Sequence, residues 1–144
     1  MGWPTVTLPD AEGAIRSWLR AVGVGAAGDR IFFAIPDVPA DQGGLVYPLV
    51  TLSRAGGGPA DELPIDAPLM LFNVWADSKR DAAEAAAALI ALLRMAAGSV
   101  RTDQMTVDDV TTITGPVWQP DEDAHKARYI VTAAFTLRPA MVSA

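Results

Sequence analysis

The chain has 144 residues and a mass of 15.1 kDa, the size of one domain built on one core, and at 51% hydrophobic and 19% charged residues it is too apolar for disorder. Eleven Lys and Arg against 17 Asp and Glu leave a net charge of -6, the reverse of the balance expected of a generic phosphate-backbone binder. Cysteine is absent and His125 is the one histidine, which excludes disulfides, thiolate metal sites, thiol catalysis and His-pair metal motifs.

Pro9-Asp10 opens the first predicted element. Asp10 is placed to cap a helix, and Ala14, Ile15, Trp18, Leu19 and Val22 follow at three- and four-residue spacing, one apolar stripe. The glycines of Gly23-Val24-Gly25-Ala26-Ala27-Gly28 end it. That run has the GxGxxG spacing of a dinucleotide fingerprint, but a fingerprint needs a strand before it and a helix after it. Here the order is reversed, so the run is read as a helix-ending turn.

Arg30 to Ile35 predicts a short strand ended by Pro36, and residues 36–47 a loop containing Asp37, Asp41 and Gly43-Gly44. Pro48 to Ser53 predicts a second strand. Arg54 to Pro68, with three glycines, three prolines and three carboxylates, is expected to be a long exposed loop. Gly56-Gly57-Gly58 is not followed by Lys and Ser or Thr, so it is no P-loop; it reads equally as a mobile loop or as a segment that orders on a partner. Leu69 to Trp75 is apolar on both faces and predicts a central strand.

Asp77 or Ser78 begins a helix running to about Ala97 and stopped by Gly98, with Asp81 in its first turn and Arg94 in its last, as the helix dipole favours. Ala82, Ala86, Leu89, Leu93 and Ala96 form a flat stripe suited to lying on a sheet. Its apolar run, Ala85 to Leu93, falls far short of the roughly 20 residues that cross a bilayer. Val107 to Trp118 and Ala127 to Arg138 predict a closing hairpin, the second strand alternating with period two. The order α-β-β-β-α-β-β points to a single α+β domain, a mainly antiparallel or mixed sheet packed by two helices. Met1-Gly2-Trp3-Pro4 has no signal layout, so the chain is expected to stay in the cytosol.

The chemistry-bearing residues form no catalytic pattern. Asp121-Glu122-Asp123 lacks the alternating donors and turn glycine of a calcium loop and reads as a solvated hairpin tip. No serine sits on a nucleophile elbow near His125. A pair of carboxylates for glycoside chemistry is not singled out among 17. Trp3, Trp18, Trp75 and Trp118 are core or subunit-contact candidates.

The helix Asp10 to Val22, the segments Arg30-Ile31-Phe32 and Tyr47-Pro48-Leu49-Val50-Thr51-Leu52, the junction Leu71-Phe72-Asn73-Val74-Trp75-Ala76-Asp77 before an alanine-rich helix, and the final strand Ala127 to Leu137 follow one another in a characteristic layout. Taken together they cover nearly the whole chain. This layout resembles the tail-terminator, or tail-completion, proteins of long-tailed bacteriophages, the group that includes minor tail protein U.

The resemblance implies a structural virion protein, assembled in the host cytoplasm, with no enzymatic activity and no cofactor. It implies a homohexameric ring at the head-proximal end of the tail tube that ends polymerisation and receives the head-completion protein. Related neck proteins, head–tail connectors or stoppers, share the layout and supply the alternative; a small enzyme or ligand-binding module with a dispersed site is the second. On the terminator reading the tube protein, the head-completion protein and further copies of the chain are partners. Genome DNA would pass through without specific binding, and no membrane is involved. Docking is expected on the loops, through Arg54, Asp61, Glu62 and Asp66 and through Asp37 and Asp41. Asp121, Glu122 and Asp123 are candidates for the channel wall, or serve solubility alone. A channel lined mainly by Arg16, Arg54, Arg101 or Arg128 would contradict free passage of DNA.

Overall fold

In chain order the elements are α1 (Ala11–Val22), β1 (Ile31–Phe32), β2 (Leu49–Pro59), β3 (Asp66–Ala76), α2 (Lys79–Ala96), β4 (Met105–Trp118) and β5 (Ala127–Pro139), with 3-10 turns at Gly25–Ala27 and Ala40–Gln42. The structure, a computed structural model, describes residues 10–59, 65–122 and 125–139. The strands form one sheet in the order β1-β2-β3-β5-β4, with β1 parallel to β2 and every other pair antiparallel. This is the α+β order expected, and β3 is central.

Strand alternation divides the sheet into two unlike faces. Val50 and Leu52 of β2, Met70, Phe72 and Val74 of β3, Val131, Ala133, Phe135 and Leu137 of β5, and Met105 and Val107 of β4 are all buried on one side. Ala14, Ile15, Trp18 and Leu19 of α1 and Ala86, Leu89, Leu93 and Ala96 of α2 pack there, so both helices share that face. The alanines keep α2 close to the strands, and the stripe read from the sequence is the one buried. The other face carries Leu69, Leu71 and Asn73 of β3 beside Ala134, Thr132 and Ile130 of β5. No helix covers it.

Local signals set most boundaries. Ser78 caps α2, its Oγ accepting from the Asp81 amide at 3.1 Å. Gly23 ends α1 at φ +84°, donating its amide to Leu19 O at 2.8 Å, and the glycine run then folds as a tight turn that buries Val24 and Ala27. Asp10 departs from expectation. It occupies the cap position of α1, but its carboxylate takes no cap hydrogen bond; it lies over Gly13, in space that a side chain there would fill. The first strand is shorter than its apolar run, with only Ile31 and Phe32 pairing.

The expected loop over 54–68 is largely a hairpin. β2 continues to Pro59 and β3 begins at Asp66, with pairs from Arg54↔Met70 to Pro59↔Asp66 and a bulge between Arg54 and Gly56. The glycines that argued against a strand permit this one. Gly57 sits at φ +79°, and a Cβ there would stand 2.0 Å from Ala67 O, so only glycine allows the arms to approach. Pro68, lacking an amide proton, pairs with Gly57 on the β2 side, and the β3–β5 register skips it between Asp66↔Leu137 and Leu69↔Ala134. The loop over 36–47 is irregular as expected, apart from the 3-10 turn at Ala40–Gln42.

Candidate interaction surface

Residues expected to contact a partner or to line the channel are distributed over both ends of the sheet. At the β2–β3 tip Arg54 Nη1 and Nη2 donate to Asp66 Oδ2 and Oδ1 at 2.8 and 2.7 Å, a two-point charge-assisted pair. Asp66 is buried, and Arg54 Nε also donates to Gly56 O at 3.2 Å, across the bulge. The hydrogen bonds to Asp66, opposed by partial burial, hold the Arg54 guanidinium above its already high ordinary pKa. Asp66 was expected as an exposed docking carboxylate; its carboxylate is instead spent on holding the hairpin arms together. Asp61 and Glu62 lie outside the described residues. Asp37 and Asp41 fall in the loop after β1, Asp41 within the Ala40–Gln42 turn and exposed.

Asp121 and Glu122 lie at the opposite end, on the β4–β5 connection. Asp121 and Lys126 exchange backbone hydrogen bonds of 3.1 and 3.2 Å that close this turn, and Glu122 is exposed. Asp123 lies outside the described residues. His125 is exposed with φ +52°, a turn residue as read.

That same end carries a cluster the loop-based reading did not single out. Lys79 Nζ lies 4.7 Å from the Trp118 ring centroid, and Trp118 packs against Tyr129 at 5.1 Å. Lys126 Nζ lies 4.5 Å from the Tyr47 ring and pairs with Asp77. The Arg128 guanidinium lies 4.9 Å from Trp75, while its Nε donates to Gln119 O at 2.9 Å. The hydrogen bond to Asp77 raises the Lys126 pKa above the ordinary lysine value. The tryptophans were visible in the sequence, but their cations, Lys79 at the start of α2 and Arg128 on β5, come from two separate segments that only the tertiary structure brings together.

Arg16 is likewise engaged, donating from Nε to Ile31 O at 2.7 Å and stacking 5.1 Å from the Phe33 ring. It lines a shallow, open depression of about 370 Å³ with Asp10, Ser17, Phe33 and Gln104. Among the described residues no group of three or more His, Asp or Glu side chains is placed to hold a metal ion. No described helix is long and apolar enough to cross a membrane.

No protein-family model matches the chain, and no curated protein matches it by sequence. A solved structure does match by fold: a chain described as "Virion of native gene transfer agent (GTA) particle" superposes with a TM-score of 0.59 and 18% sequence identity, over 90% of this chain and 93% of that one. At that identity the likeness is one of fold, and it extends over nearly the whole of both chains.

Proposed function

We propose that the chain is a structural protein of a phage-like virion, acting as a tail terminator: a ring at the head-proximal end of the tail tube that ends tube growth and receives the head-completion protein. The observation that carries this reading is the fold shared along 90% of the chain with a virion protein of a gene transfer agent particle. Two independent features support it. The sequence layout resembles the terminator family from the first helix to the last strand. The surface carries a broad uncharged sheet face, which suits assembly.

In this proposal the chain is not an enzyme and needs no cofactor. Its partners are further copies of itself, the tube protein and the head-completion protein, and DNA passes through the ring without being held. Docking to the tube belongs to the β2–β3 tip, where Asp61 and Glu62 supply the charge now that Asp66 is committed to Arg54.

Co-assembly tests the terminator role against the connector role. Purified chain is added to polymerising tube protein and tube length is measured by electron microscopy. The terminator reading expects capped tubes of arrested length. Unlimited tubes, together with binding to the portal side of a head, would establish a connector. An Asp61→Ala/Glu62→Ala variant that still caps tubes would move the docking site off the hairpin tip.

A further inference from the structure

Two surfaces of this domain are unlike ordinary solvent-facing surfaces, and they lie on its opposite sides. The first is the outer side of α2. A helix that buries one stripe usually carries polar residues on the other, yet Ala85 to Leu93 is a run of nine residues without a polar side chain. Ala85, Ala86, Leu89, Ile90 and Leu93 face the core, Ala88 and Leu92 are partly buried against it, and the exposed positions of the run are Ala87 and Ala91. The second is the uncovered face of the sheet. An antiparallel sheet with one solvated face normally alternates apolar inside with polar and charged outside. Here the outward positions at its centre are Leu69, Leu71, Asn73, Ile130, Thr132 and Ala134, none of them charged.

The charges at the margins of these surfaces match in order. On α2, Glu84, which pairs with Arg80 one turn earlier at 3.3 Å, precedes the uncharged run and Arg94 follows it, both exposed. On the sheet face, Arg128 lies at one end, paired with Trp75, and Asp109 at the other, paired with Thr136. The chain connectivity fixes which ends correspond. α2 begins three residues after Ala76, which pairs with Ala127, so Glu84 and Arg128 belong to one end of the domain. The chain leaves α2 through Gly98, whose amide donates to Val107 O at 3.0 Å, so Arg94 and Asp109 belong to the other.

We propose that α2 of one copy seats on the open sheet face of the next, with Glu84 facing Arg128 of that copy and Arg94 facing its Asp109. The occupant of the sheet face is thus a second copy of this chain. Interface centres are depleted of charge, and a helix surface of alanines lets the backbone approach a sheet of threonine, leucine and alanine closely. Because the surfaces differ and lie on opposite sides, the contact is head-to-tail and repeats, closing into a ring when the rotation allows. Equivalent ends stay together, so the ring axis runs along the strands. The inference rests on the ring-forming role proposed above and names the surfaces that form the ring.

The chain contains no cysteine, so engineered thiols report the contact directly. Ala91→Cys and Thr132→Cys variants, each checked by circular dichroism for native folding, are oxidised separately, mixed, and combined in one chain. The wild-type mass is measured alongside by light scattering. The expected result is a disulfide dimer only in the mixture, and a ladder of oligomers from the double variant. A wild-type ring with no Ala91–Thr132 cross-link, or with only like-to-like cross-links, overturns these surfaces and leaves the ring role standing. A monomeric wild type with no cross-link overturns both.

Charge reversal checks the register. Glu84→Arg and Arg128→Glu are each expected to weaken association by roughly fivefold, and the two together to recover it. Weakening without recovery overturns the pairing of ends.

Discussion

Arg54 and Asp66 face each other across the end of the β2–β3 hairpin and share two hydrogen bonds of 2.8 and 2.7 Å. The carboxylate is almost wholly buried while the guanidinium keeps 29% of its side-chain surface in water. Their removal is therefore asymmetric. Arg54→Met leaves a buried carboxylate without its partner and is expected to cost about 1–3 kcal/mol in urea unfolding. Arg54→Met with Asp66→Leu should recover most of that, because the desolvation penalty goes with the charge. A double variant as unstable as the single one would show that the pair does more than neutralise Asp66.

Glycine 57 is a second point of control over the same hairpin. Gly57→Ala places a methyl group against Ala67 O at a backbone angle that alanine rarely adopts, and a loss of about 1–2 kcal/mol is expected. Gly58→Ala meets nothing within 4 Å and should change stability by less than about 0.5 kcal/mol. Hydrogen exchange at the β2–β3 amides should accelerate in the first variant alone.

Leu89 anchors α2 on the sheet with no exposed surface. Leu89→Ala is expected to cost about 2–5 kcal/mol, and Leu89→Asp, which buries a charge without a partner, to prevent folding. Normal thermal stability of the aspartate variant would contradict the packing described.

The two helix starts should respond differently to the same change. Ser78→Ala removes a hydrogen bond to the Asp81 amide and is expected to cost about 1 kcal/mol. Asp10→Ala removes no cap hydrogen bond, so chemical denaturation should register a smaller loss.

Lys126 ties the β4–β5 turn to Asp77. Its pKa is raised in the folded chain by that hydrogen bond, so the contribution is complete below the unfolded value of 10.5 and is lost as pH rises through the folded value. The Lys126→Met variant should therefore be less stable than wild type by about 0.5 kcal/mol at neutral pH. The gap should close on the alkaline side of 10.5.

Both helices, the central place of β3 and the closing hairpin were legible in the amino-acid order. Each rests on a local property: the spacing of Ile15, Trp18 and Leu19, the stripe through Ala86, Leu89 and Leu93, and the alternation from Tyr129 to Leu137. A side chain's periodicity is set by its own backbone, so it survives without knowledge of neighbours. The glycine- and proline-rich arms of the β2–β3 hairpin were not legible, because their strand character comes from a partner arm and not from propensity. Asp66 could not be told from Asp61 or Glu62 by composition; its burial depends on Arg54, 12 residues away. The uncovered sheet face also belongs to the tertiary structure. Leu71, Ile130 and Thr132 read as ordinary strand residues until both helices are seen to pack on the other side.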